Sequence, residues 1–426
     1  MPRAMVAGGS IGGLCAALAL REAGVEVTVH ERAGSQLGNR GAGIVAHEAS
    51  LRRLTAGGVA LDDLSIPSRL LRYLDRTGRL VHEERSSYRF TSWHTLHSAL
   101  HSALVALAGE GCYRWGSAVA DFTRDRDGAV SARFSDGGTQ RADLLVCADG
   151  ITSTAREILL PGTRPRYAGY VGWRGIVSAA EAGPRLFGAL GHDITYQLLQ
   201  RGHILAYPIP APRRAGEGGA GQGGAAGAGG PPGGRYLNWV WYRNVAAGPA
   251  LDRLRTDTAG AVRDLSVPPG AVRPDVVAEM RAAAAAELED TLRRLVLATR
   301  EPFLQVVVDA EVPRMAFGRV CLLGDAAFVA RPHAAAGTAK AAADAWRLGE
   351  AIREHGGTGG PEGIAAALAA YERTQLAVGR SLVHRARALG DAVQFAGSWR
   401  PGDPDLLFGL YQPGDSAFSR ADAPGR

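Results

Sequence analysis

The sequence predicts an α/β fold in which a parallel sheet is interleaved with an α+β part built on an antiparallel sheet. Three observations predict it. An apolar run at residues 4–7 leads through a glycine cluster into helical spacing over 14–23, and residues 25–29 then alternate as a strand, a βαβ opening. Two later apolar strands, near 144–147 and 320–323, run into aspartate-bearing turns. From Tyr170 onward the texture changes to short, aromatic-rich strands separated by turns, the mark of an antiparallel sheet.

The chain has 426 residues, more than the roughly 250–300 that one core supports, so two or three domains are expected. With 46% hydrophobic and 21% charged residues the composition is that of a globular protein and excludes a disordered or fibrous chain. No run approaches the roughly 18 apolar residues of a membrane span. Met1-Pro2-Arg3 leads directly into a strand without the layout of a cleavable signal, so a cytoplasmic location is expected. The net charge of +6 comes from scattered arginines, with Lys340 the single lysine, and forms no basic block. A nucleic-acid partner is therefore not expected. Cys15, Cys112, Cys147 and Cys321 are far apart in sequence and read as buried free thiols of a reducing compartment.

The elements follow in order. Gly24 ends the first helix. Residues 70–75 and 80–84 read as a hairpin around Thr77-Gly78. Leu96, Leu100, Leu104 and Leu107 mark an amphipathic helix over 93–107. Strands are expected at 130–134, 144–147, 170–177, 194–199, 203–209 and 237–242. Between the last two, residues 213–234 are almost entirely Gly, Ala and Pro, too poor in apolar surface to order themselves. This stretch reads as a floppy insertion joining two strands. Helical spacing returns at 274–300, 339–354 and 364–389, around strands at 306–308 and 320–323, and a Pro/Gly-rich tail begins at 398.

Three motifs carry chemistry. Gly8-Gly9-Ser10-Ile11-Gly12-Gly13 lies between strand and helix, where glycine permits a tight turn and close approach of a pyrophosphate to helix N–H groups. Glu31 ends the second strand, where a carboxylate accepts hydrogen bonds from ribose hydroxyls. This is a Rossmann-like dinucleotide signature with Ser10 at the place of its middle glycine. The second motif, Asp149-Gly150-Ile151-Thr152-Ser153-Thr154-Ala155-Arg156, is by itself only a turn after a strand. The third runs Gly324-Asp325-Ala326-Ala327, then Arg331-Pro332-His333 and Gly337-Thr338-Ala339, with Asp344-Ala345 in the next helix. An aspartate at a strand end suits a polyol chain, and a helix start built of small residues offers free N–H groups.

Together the motifs resemble those of FAD-dependent aromatic hydroxylases typified by para-hydroxybenzoate hydroxylase, over about residues 3–396 without the insertion. Asp149, Gly150, Ser153 and Arg156 match the family's DGxxSxxR, and Gly324, Asp325, Pro332, Gly337 and Asp344 match its GDAA-type segment. The departures are Ser10, Ala335 for a glycine, Ala339 for an asparagine, and Trp93 where relatives carry an arginine. The resemblance implies a Rossmann-like FAD-binding domain from 1–69, 94–166 and 304–397. A substrate domain would span 70–93 and 167–303, followed by a tail over 398–426. It implies FAD held by Gly8, Ser10, Ile11 and Gly13, by Glu31, Arg32 and Arg40, and by Val119 and Asp149. Asp325, Pro332, Gly337, Thr338 and Ala339 would complete that site.

The implied chemistry belongs to the flavin: NADH or NADPH reduces it, O2 adds as a C4a-hydroperoxide, and one oxygen passes to an electron-rich phenolic or hydroxylated N-heteroaromatic ring. His333 and Tyr196 are the candidate catalytic residues. His47, Trp173, Arg174, Tyr207, Trp239 and Trp241 are the candidate substrate contacts, although aromatic residues on strands are more often core. Arg243 is a candidate for an anionic group. No metal is required, no membrane partner is expected, and a homodimer is compatible with the family. The same fold also supports epoxidation or Baeyer–Villiger oxidation. A plain NAD-dependent dehydrogenase would have no use for the aspartate near 325.

Overall fold

The computed structural model describes residues 1–34, 42–125, 128–211, 234–356 and 360–403. Arg40 and nearly all of the Gly-rich insertion lie outside the described residues. The N-terminal βαβ unit forms as expected, with strands Arg3–Ala7 and Glu26–Glu31 parallel and helix Ile11–Glu22 between them. These belong to a six-stranded sheet in the order Ala316–Phe317, Val320–Leu322, Leu144–Cys147, Arg3–Ala7, Glu26–Glu31, Tyr113–Trp115. All its pairings are parallel except the short hairpin at 316–322. Doubly covered parallel strands are apolar throughout, and Leu144–Cys147 is buried at every position. The Ala-rich first helix is likewise buried from Leu14 to Leu20. Its small side chains let helix Gly337–Ala351 come so close that a Cβ on Gly349 would press against Ala19 at 2.8 Å.

The aromatic-rich half forms an eight-stranded sheet. Its order is Ser266–Val267, Phe303–Asp309, Arg166–Ser178, Arg235–Asn244, Gly202–Pro210, Ile194–Leu199, Leu70–Leu74, Leu80–Arg85. Only the pairing of Ile194–Leu199 with Leu70–Leu74 is parallel. The expected domain boundary at 304 cuts through Phe303–Asp309, which hydrogen-bonds along Arg166–Ser178. The chain therefore leaves this sheet after Asp309, a few residues later than the sequence suggested. The helical stretch expected over 274–300 is two helices, Pro274–Glu287 and Asp290–Ala298, broken where the Glu289 side chain caps the second. All four cysteines are buried free thiols.

The period of two along each strand decides which side chains meet the cofactor-binding half. Register aligns Arg174 with Val240, Val240 with Leu205, Leu205 with Tyr196 and Tyr196 with Tyr73, one row across one face. The opposite face carries Trp173, Trp239 and Trp241, packed with Leu292, Leu295 and Met280 of the outer helices. On the central strands, the cavity between the two sheets is bounded by the first face.

Candidate active site

Between the parallel sheet and this face runs one cavity of about 840 Å³. At one end lies the glycine turn. Gly8 has φ 101°, a value natural to glycine, and a Cβ there would collide with the Ala148 carbonyl. A Cβ on Gly13 would collide with the carbonyl of Gly8, so the turn and the helix start leave no room for side chains. Ser10 precedes the helix without capping it, and Ser10, Ile11 and Gly12 line the cavity. The N-terminal N–H groups of this helix therefore point at open space with no side-chain acceptor. Helix Gly337–Ala351 repeats the arrangement: Ala336 provides no side-chain cap, and Ala336, Gly337 and Thr338 line the same cavity.

The second and third motifs are joined by one residue. Asp149 accepts from the Ser153 hydroxyl at 2.6 Å and from Ala155 N–H at 3.1 Å, which fixes the start of helix Thr154–Leu159. That helix aims Arg156, which donates to the carbonyls of Asp325 at 3.2 Å and Ala326 at 3.1 Å. Asp344 holds Gly324 N–H at 2.9 Å from below and pairs with the buried Lys340 at 2.6 Å. Lys340 is therefore neither on a solvated face nor in the cavity; it neutralises the carboxylate that anchors the loop. Asp325 alone is left open. Its carboxylate accepts no hydrogen bond from the described residues and lines the cavity, and burial pushes it up to about 6.

An extended groove, two uncapped helix starts and a carboxylate awaiting donors suit the pyrophosphate and ribityl hydroxyls of a flavin dinucleotide. The residues present thus fit FAD. Arg32, Asp149 and Pro332 also line the cavity. Glu31 stands at the end of its strand, but its carboxylate is engaged by Gly9 N–H at 2.8 Å and Ala33 N–H at 2.9 Å. It shapes the turn as well as offering its remaining lone pairs. Val119 and Ala339 are buried away from the cavity wall. Ala341, not Ala339, faces in from that helix.

At the far end the aromatic face takes over. Tyr196, Tyr207, Arg174 and His333 all line the cavity. His333 is buried, and its Nε2 lies 2.8 Å from the Tyr170 hydroxyl while Nδ1 has no partner. Burial, with the neighbouring His203 and Arg331, holds its pKa well below the usual histidine value. Arg174 and Tyr207 direct their polar ends elsewhere: both donate to the Gly43 carbonyl, at 3.0 and 2.7 Å, while Asn238 accepts from Gly43 N–H. Gly43 is required there because a Cβ would meet the Tyr207 ring at 2.5 Å. His47 is set apart from the ring end and hydrogen-bonds the Ala335 carbonyl at 2.8 Å.

Trp173, Trp239 and Trp241 are corrected as substrate contacts, since strand alternation turns them into the outer core. Arg243 is corrected too: it pairs with Glu287 and lies over Trp241 on that outer side. Sequence reasoning missed His203, Tyr242 and Gln305 on the wall and Tyr170 behind His333.

Known proteins place this architecture. The family described as FAD binding domain matches residues 2–183 and 303–386, and an FAD binding domain-like family matches 167–309. The chain is 38% identical over 409 residues to the 2,6-dihydroxypyridine 3-monooxygenase of Paenarthrobacter nicotinovorans, covering 96% of each chain. It is 29% identical to an FAD-dependent urate hydroxylase of Klebsiella pneumoniae, across 90% of this chain and 88% of that one. Its fold superposes on the structure of 2,6-dihydroxypyridine-3-hydroxylase from Arthrobacter nicotinovorans with a TM-score of 0.86, at 37% identity and 96% and 97% coverage. The chain thus belongs to the FAD binding domain family and is an FAD-dependent monooxygenase.

Proposed function

We propose that this monooxygenase hydroxylates a flat, electron-rich phenolic or hydroxylated N-heteroaromatic ring, with NADH or NADPH as reductant. The observation that carries the reading is the single cavity running from the glycine turn, past Asp325, to a face of aromatic side chains and His333. The relatives named for dihydroxypyridine and urate act on N-heteroaromatic rings, which favours that half of the class.

Bound FAD supplies the reduction by nicotinamide and the activation of O2. The chain supplies the rest. The two helix starts and Asp325 hold the dinucleotide. Val240, Leu205 and Tyr196 form a floor without charge that keeps water from the reacting end. His333 is held neutral at the cavity wall with its Nε2 at the Tyr170 hydroxyl, and it would act on a ring hydroxyl by hydrogen bonding rather than by taking up its proton outright. Polarising that hydroxyl enriches the ring for attack.

The direct test is a screen of phenols and hydroxypyridines for substrate-stimulated NAD(P)H oxidation, with product mass measured. His333→Ala should retain FAD but couple poorly, so hydrogen peroxide rises and hydroxylated product falls by about 10²-fold or more. Normal coupling in that variant removes His333 from that role. Loss of FAD and of thermal stability instead would assign it a purely structural role.

A further inference from the structure

The buried carbonyl of Gly9, in the middle of the glycine turn, is held by two side chains. His97 Nε2 lies 3.0 Å from it, and the Tyr113 hydroxyl donates to it at 3.0 Å. The N–H of the same residue is taken by Glu31 at 2.8 Å. Side chains therefore fix the peptide units on both sides of Gly9. A Cβ at this position would meet the Tyr113 oxygen at 1.9 Å, so only glycine admits the clamp. His97 comes from helix Trp93–Ala108 and Tyr113 from the edge strand of the parallel sheet, two separate elements that converge on one oxygen.

Trp93, at the place of the family's arginine, lines the cavity and stacks on His97 with ring centroids 4.6 Å apart. His97 and Tyr113 lie behind it, off the cavity wall. Burial lowers the His97 imidazole to about 4, so it is neutral near pH 7. A neutral imidazole facing a carbonyl oxygen carries its proton on the facing nitrogen, because two lone pairs repel. His97 is accordingly the donor.

A trans peptide points its N–H opposite to its C=O, and no cis peptide occurs among the described residues. With the Gly9 carbonyl drawn away from the cavity, the Ser10 N–H is turned toward it. That N–H has no acceptor among the described residues, and Ser10 lines the cavity. It stands beside the free N–H groups that open helix Ile11–Glu22, where an anion is favoured. Without the two donors, the peptide could turn its oxygen toward that anion and repel it.

We propose that His97, together with Tyr113, is a positioning residue for the FAD diphosphate: the pair holds the Gly9 carbonyl so that the Ser10 N–H faces the phosphate oxygens. The inference concerns the cofactor and is independent of which ring is hydroxylated.

The test reads FAD affinity, the melting temperature of the FAD-free protein and the phosphorus NMR resonances of bound FAD. His97→Leu should weaken FAD binding about threefold or more, and His97→Leu combined with Tyr113→Phe about tenfold or more, as one and then both hydrogen bonds are lost. His97→Gln, whose amide nitrogen reaches about as far as Nε2, should recover most of the loss seen in His97→Leu. In the double variant the diphosphate resonances should move while the flavin absorbance band stays in place. Unchanged FAD affinity in the double variant overturns the proposal. So does a weakening that His97→Gln does not relieve. Unmoved phosphorus resonances together with a lower melting temperature of the FAD-free protein would overturn it too, by marking the pair as purely structural. A native protein that takes up no FAD overturns the inference along with the cofactor assignment. An FAD-loaded protein that hydroxylates no ring overturns only the function proposed above.

Discussion

At the scale of single residues, Asp325 and Ala335 make opposite demands on the chain. Asp325 is a buried carboxylate on the cavity wall that accepts no hydrogen bond from the described residues. Its removal takes away charge-assisted hydrogen bonds of about 1.5–3 kcal/mol, so Asp325→Ala should purify folded but flavin-poor. Glu31→Ala should behave similarly and also lose some thermal stability, because Glu31 holds two backbone N–H groups of the turn. Retention of FAD by both variants, read from the absorbance ratio of flavin to protein, would refute the assignment. Ala335 is the one non-glycine residue at positive φ among the described residues, at 52°, where the family pattern has glycine. A left-handed alanine is strained by roughly 1 kcal/mol, about what glycine loses in chain entropy. Ala335→Gly should therefore leave the melting temperature unchanged or slightly raised; a fall of several degrees would show that the Cβ has a packing role.

The same scale shows what the sequence could reveal. Gly8, Asp149, Arg156 and Asp325 were legible because turn geometry and buried carboxylates restrict residue type wherever they occur. The substrate wall was less so, since aromatic residues suit either face of a strand. One signal was available: side chains alternate, so Trp173 and Arg174 could not both face the same cavity. Once Arg174 and Tyr207 are placed on the wall, parity adds Tyr242 and His203 and removes Trp239 and Trp241. The strand register that links one parity to the next is a tertiary fact, absent from the sequence.

At the scale of elements, helix positions followed from apolar spacing, and their ends differed where a local contact intervened, as Glu289 does between two outer helices. The connection across residues 212–233 poses a sharper question. The strands on either side, Gly202–Pro210 and Arg235–Asn244, are antiparallel and paired as far as Pro210 with Arg235. Two ends already side by side need only a tight turn to join them. The cost of closing a longer loop grows slowly, so the long connection is tolerated without being required. Replacing 212–233 by a short Gly-containing turn should leave FAD content and turnover intact. A collapse of turnover with FAD retained would mean that this segment contributes to the reacting end or to a partner.

At the scale of the whole molecule, titratable groups buried in both halves set an acid limit. Burial lowers six histidines: His30 and His97 to about 4, His203 to about 3, and His47, His101 and His333 in direction. In the unfolded chain each accepts a proton near pH 6.5. Their contribution is therefore complete above about pH 6.5 and is lost as pH falls toward the folded values. Asp149, Asp325 and Asp344 oppose this, because burial raises them. Their contribution is present below the ordinary carboxylate range of about 4 and is lost as pH rises through the folded value, about 6 for Asp325. Six groups against three leave net proton uptake on unfolding between about pH 4 and 6.5. The melting temperature of the FAD-free protein should thus fall on acidification from pH 7 to 5 at constant ionic strength. His203→Leu, which removes one of the six, should show a shallower fall. A melting temperature that is flat or rises over that interval would show that the carboxylates dominate and that the histidines are less enclosed than their packing indicates.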